Sequence, residues 1–173
     1  MNADPVLVNR VAESDLQTIA LDQFVHEEIV SLDLKGYLFR ELILREKDFR
    51  DALKQVDWAQ YHGKVLAVYC STDAIIPMWA YMLIASYATP YAIQVIFGSP
   101  AQAFEQLLLN KINEQDWSTY QDKRVVIKGC SDQELPASAY LAISNKLQPF
   151  VQSLMYGEPC STVPIFKRPR VIK

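Results

Sequence analysis

The chain has 173 residues, half of them hydrophobic, with 17 lysines and arginines against 20 aspartates and glutamates. This is enough apolar material for one substantial core, so a single α/β domain over residues 1–173 is the default. A net charge of −3 argues against a nucleic-acid partner; a polar, acidic Met1–Leu16 without a signal-peptide pattern, and an apolar Met78–Ser86 too short to span a bilayer, point to the cytoplasm and no membrane partner.

Residues 1–40 read as an N-terminal arm with one additional strand. Met1–Phe24 carries no recognisable chemistry, and Ile29–Phe39 alternates imperfectly around Lys35-Gly36. Glu46–Trp58, with Phe49, Leu53 and Val56 on its apolar side, predicts an amphipathic helix. Val65–Tyr69 is a short β-branched run suited to a buried strand, followed by Cys70 and by residues able to cap a helix. Met78–Ala88 is long and apolar enough for a helix packed on a sheet, ended by Pro90, and Ile93–Gly98 is a further strand.

The same order then recurs. Asp57-Trp58-x-x-Tyr61-x-x-Lys64 returns at one constant offset as Asp116-Trp117-x-x-Tyr120-x-x-Lys123, and the offset persists through Pro77/Pro136, Tyr81/Tyr140, Pro90/Pro149 and Gly98/Gly157. Tryptophan and glycine are scarce, 3 and 5 in the chain, so this register is hard to produce by accident. It predicts a helix over Ala103–Ile112, a strand from Val125 to Lys128, a helix over Ala137–Leu147 and a strand over Gln152–Gly157. By itself the last segment would pass as the tail of a helix; the repeat relation makes it a strand. The expected architecture is a three-layer sandwich with a mainly parallel sheet, built from two repeated strand–helix–strand units (42–100 and 101–160). An extended basic tail (161–173) follows.

All three cysteines are followed by serine, at Cys70-Ser71, Cys130-Ser131 and Cys160-Ser161, and each reads as lying at a strand end. Crossover connections make the strands of a unit parallel, so their C-terminal ends share the sheet edge where α/β proteins bind ligands. In a reducing compartment an odd set of thiols is more readily reduced, reactive or metal-bound than disulfide-paired. Three thiolates at one edge would suit zinc or an iron–sulfur cluster, soft cations that favour sulfur. Asp73, Asp132, Glu158 and, more distantly, His62 are candidate fourth ligands; Ser71, Thr72, Ser131, Ser161 and Thr162 are candidate hydrogen-bond donors to sulfur. A second reading makes Cys70 a catalytic thiol at a helix N-terminus. His62 precedes the strand and so lies at its other end, and His26 sits between acidic neighbours, so neither is well placed as a base. A third reading has the cysteines as small core residues in a structural or protein-interaction domain.

Asn9-Arg10-Val11-Ala12, Lys47-Asp48-Phe49-Arg50, the run from Cys70 to Tyr81, Val126-Ile127-Lys128-Gly129-Cys130-Ser131 and the run from Gly157 to Pro164 resemble a bacterial family catalogued as domain of unknown function 2480. The resemblance covers nearly the whole chain and includes all three Cys-Ser sites. It implies an association with iron–sulfur assembly factors, and with it a protein partner in iron–sulfur assembly and an accessory role in cluster assembly or sulfur transfer. The oligomeric state is not legible.

Overall fold

A computed structural model describes residues 16–129, 134–158 and 160–169. In chain order they form β1 (Leu16–Ile19), β2 (Ile29–Asp33), β3 (Leu38–Phe39), β4 (Ile43–Leu44), α1 (Glu46–Lys54), β5 (Val65–Tyr69) and α2 (Met78–Ala88). There follow β6 (Gln94–Phe97), α3 (Pro100–Glu114), β7 (Arg124–Ile127), α4 (Ala137–Leu147), β8 (Ser153–Glu158) and β9 (Ser161–Lys167). The class is mixed α/β with mostly parallel pairing. Two compact units emerge, one from residues 26–107 and the other joining the described residues before 26 to those after 107. Among the described residues no helix is long and apolar enough to cross a membrane.

In the unit of residues 26–107, β5 is the middle of three parallel strands ordered β2-β5-β6. Val65, Leu66, Ala67 and Val68 are all buried, the unbroken apolar run that a strand covered on both faces requires. Leu66 and Val68 join Leu32 of β2, Phe49 and Leu53 of α1, and Ala80 and Ile84 of α2 in one core cluster. Each fully buried aliphatic side chain of this kind contributes about 1.5–3 kcal/mol over its exposed state. α1 is amphipathic, with Glu46 and Asp48 in its first turn and Lys54 in its last, complementing the helix dipole. α2 has no charged residue and no side-chain cap, so packing holds it. Trp58 closes the cluster: its indole N–H donates to the Leu53 carbonyl at the end of α1 (2.9 Å), and its ring stacks on Tyr87.

The other unit contains the sheet β1-β7-β8-β9, in which β1, β7 and β8 are parallel and β9 returns antiparallel. Here the Trp117 indole N–H donates to the Ile112 carbonyl of α3 (2.8 Å). Asp116 accepts from the Ser118 N–H as Asp57 accepts from that of Ala59. The β7–β8 register sets Arg124 opposite Ser153, and the β5–β6 register sets Val65 opposite Gln94, which are the same two positions of the repeat. Tyr140 meets Tyr156 edge to face, as Tyr81 meets Phe97.

Three expectations change. Among the described residues the parallel strands form two sheets rather than one: β2 and β6 take both edges of β5, and β1 and β8 take both edges of β7, which leaves neither central strand an edge for the other. The arm contains a structural strand, β1, paired from Leu16 opposite Arg124 to Ile19 opposite Ile127. The tail is strand β9 as far as Lys167, and Arg168 beyond it donates to Asp122 (2.8 Å) and to the Pro149 carbonyl (2.6 Å). Gly157 makes that return possible, because its φ of +123° suits glycine and a Cβ there would stand 2.5 Å from the Ser161 carbonyl oxygen.

Trp58→Phe and Trp117→Phe each keep an aromatic ring but remove the indole donor from a helix-end carbonyl, with the Leu53 carbonyl keeping the longer bond from the Val56 N–H (3.4 Å). Each is expected to lower the unfolding free energy in urea by about 1–3 kcal/mol. Unchanged unfolding in both variants would show that the indole bonds do not hold these corners.

Candidate functional site

Cys70 is the first residue after β5, so its sulfur stands at the C-terminal end of the central parallel strand of its unit. Asp33, the last residue of β2, is the register partner of Tyr69. Its Oδ1 accepts from the Lys35 N–H (2.9 Å) and, across the strand ends, from the Ser71 N–H (3.0 Å). Burial pushes the Asp33 carboxyl up, but hydrogen bonds from Ser71 and Lys35, with the charge of Lys35, outweigh it and hold the carboxyl below its ordinary range. The loop that carries the thiol is thus latched to the neighbouring strand. Cys70 is half-buried, with Sγ 3.3 Å from the Thr72 hydroxyl. Burial, and then the neighbouring Cys70, raise the Tyr81 phenol.

The other candidates divide between the two units or fall outside the described residues. Cys130, Ser131 and Asp132 lie outside the described residues. Cys160 is exposed, in the turn between β8 and β9, and belongs to the other unit. Ser161 opens β9 opposite Glu158, which is half-buried at the end of β8. The Thr162 hydroxyl lies 3.7 Å from the Met155 sulfur. Asp73 is exposed and lines a hollow of about 420 Å³ with Leu42, Ile43, Leu44, Ala74, Ile75 and Pro77. His62 is exposed and precedes β5, at the end away from Cys70; His26 is exposed, with its backbone N–H on the Glu27 carboxylate. Among the described residues no group of three or more His, Cys, Asp or Glu is placed to hold a metal ion.

Two features carry no motif. One is Asp33: an aspartate ending an apolar run signals a local cap, but its bond to Ser71, 38 residues away, has no local signal. The other is apolar surface. Between Asp73 and Glu105 the whole run from Ala74 to Phe104 is without a charge or a histidine. Within that run Ile75, Met78, Met82 and Phe97 are 93%, 70%, 71% and 72% exposed. Val68, Tyr81, Met82, Ala85, Val95, Ile96 and Phe97 line a groove of about 270 Å³ between α2 and β6. Every one of these positions has its repeat counterpart in a groove of about 460 Å³ between α4 and β8, which is lined in addition by Ala137 and by Ile165 of β9.

Because the Asp33 carboxyl is depressed in the folded chain, its contribution to stability is present above the ordinary carboxylate pKa and is lost as pH falls through the folded value. Asp33→Asn is expected to flatten the fall in unfolding free energy below about pH 4. It is also expected to speed alkylation of Cys70 at neutral pH, followed by peptide mass spectrometry. A wild-type pH slope together with a wild-type alkylation rate would show that Asp33 latches nothing.

Neither the curated proteins nor the solved structures contain a match to this chain. One family pattern does match, over residues 5–168 of the 173, and it includes Cys70, Cys130 and Cys160 and both strand–helix–strand units. The chain therefore belongs to the family described as protein of unknown function (DUF2480).

Proposed function

We propose that the chain is a protein-interaction domain whose docking surface is the apolar face of the β5–α2–β6 unit. The observation that carries this reading is the coincidence of a charge-free run from Ala74 to Phe104 with four large side chains in it that are at least 70% exposed. Single exposed hydrophobes are ordinary on soluble proteins, but a contiguous apolar surface marks an interaction site. Met78 and Met82, one turn apart on α2, add the flexible, polarizable side chains suited to such a surface. We read the two strand–helix–strand units as copies of one ancestral unit. The recurring tryptophan bonds, registers, ring pairs and grooves support that reading, as does the equal length of α2 and α4. On it, both copies keep an exposed apolar side chain at one matching position, Met82 at 71% and Leu141 at 68%, while Phe97 at 72% is matched by Tyr156 at 40%.

A photo-crosslinking residue at position 82, in the full chain expressed in its native cells, tests the proposal. It is expected to give a discrete adduct that the same residue at exposed Gln60 does not give. No adduct at position 82, or the same adducts at both positions, would sink the interaction reading.

A second reading keeps the thiols. Its support is the half-buried Cys70 sulfur beside the Thr72 hydroxyl and the exposed, free Cys160, both positions from which thiolates can reach a soft metal. On this reading Cys70, Cys130 and Cys160 hold zinc or an iron–sulfur cluster for a partner in iron–sulfur assembly. Protein purified without oxygen or a metal-binding tag is then expected to carry stoichiometric metal, with labile sulfide if the group is a cluster. Cys70→Ser, Cys130→Ser and Cys160→Ser should each lose it. Protein that stays metal-free after reconstitution, with all three variants folded, rules the shared site out.

A further inference from the structure

β6 is an edge strand: among the described residues β5 pairs with one side of it and nothing with the other. Soluble proteins blunt such edges with lysine, proline, a bulge or a covering segment, because an open row of N–H and C=O groups recruits another strand. Among the described residues β6 has none of these devices, and only its length of four residues limits the open edge. Gln94-Val95-Ile96-Phe97 has no charge and no proline, and the charge-free run continues on both sides of it.

The chain itself shows how such an edge is closed. β8 is the repeat counterpart of β6, and its outer edge is covered by β9 running antiparallel, from Ser153 opposite Lys167 to Glu158 opposite Ser161. That added strand also finishes the groove behind it, where Ile165 supplies a wall that the β6 groove lacks. After β6 the chain turns into α3 instead, and no covering strand follows among the described residues. Phe97 is left 72% exposed where its counterpart Tyr156 is 40% exposed.

We infer that β6 pairs antiparallel with β6 of a second copy of this chain, joining two three-stranded sheets into one of six strands across a two-fold axis. This rests on the interaction reading above and names its partner. Charge singles out a second copy. Two-fold pairing sets each residue against a residue of the same segment, which a charged strand resists by like-charge repulsion and this neutral one does not. With the axis through Ile96, Val95 of one copy faces Phe97 of the other, and the two Phe97 side chains lie diagonally across the axis on one face of the sheet. Met82, beside Phe97 in the same groove, is then covered from across the axis.

Light scattering on the full chain is expected to give twice the chain mass of 19.8 kDa. Phe97→Lys sets two lysines diagonally across the axis on one face and is expected to elute at the single-chain mass with an unchanged circular dichroism spectrum. Phe97→Glu should do the same. Mixed one to one, the two variants are expected to recover the double mass, since each lysine now meets a glutamate; a merely misfolded variant would not. A wild-type chain that stays single at all concentrations overturns the inference, as does a lysine variant that stays double or a pair of variants that do not combine. Slow exchange, in a single-mass chain, of the β6 amides that do not bond β5 also overturns it, by assigning the edge to a segment of the same chain. Should the chain be single while position 82 crosslinks to a different protein, the second copy is wrong and the interaction reading stands. A single mass with no crosslink removes both.

Discussion

A buried indole N–H must find an acceptor, and the last turn of a helix has carbonyls with no partner inside the helix. The bonds from Trp58 to Leu53 and from Trp117 to Ile112 meet both needs at once. They fix where a helix stops and bring the chain round to the strand that follows, and both indoles are almost fully buried. Val65–Val68 and Val125–Ile127 can then run as buried strands because their entry points are set. Asp57 and Asp116 tighten the same corner by accepting from backbone N–H groups two residues on. The arrangement of each unit depends on that corner more than on any helix propensity; α2 has no capping side chain at all.

The site is shaped by a different economy. A strand end exposes unpaired backbone groups, and at β5 a carboxylate from the neighbouring strand satisfies one of them. Asp33 thereby orders the Cys70 loop without itself touching the sulfur. The thiol gains a hydroxyl neighbour in Thr72 and remains half-buried. On the same unit, apolar side chains of α2 and β6 stay exposed, so one crossover carries both polar order and apolar surface.

Much of this was legible in the sequence. Apolar runs and prolines located the helices, with α2 and α4 matching their predicted spans. The constant spacing of the repeat identified β8, whose own residues read as the tail of a helix. Periodicity, however, reports which residues are buried and not which strand they pair with, so the division into separate sheets was invisible. β1 has no signal in the sequence because four residues, two of them exposed, carry no pattern; it exists because β7 has an edge to offer. β9 has no strand signal in the sequence because Pro164 and four further exposed residues hide its alternation, and the register shift near Met155 accommodates it. At the site, the bond from Ser71 to Asp33 spans 38 residues and has no local signature.

The division of the chain also has a consequence in time. The unit of residues 26–107 is contiguous, so every one of its strands and both crossovers leave the ribosome in a single stretch. The other unit is interrupted by it: β1 is made before it, yet its register partners run from Arg124 to Ile127. A parallel pair of such wide sequence separation is slow to close and cannot begin until the second strand has emerged. Leu16–Ile19 must therefore wait, unpaired with β7, while the whole intervening unit is synthesised, and β9, made after every other described strand, finishes the sheet that β1 opened.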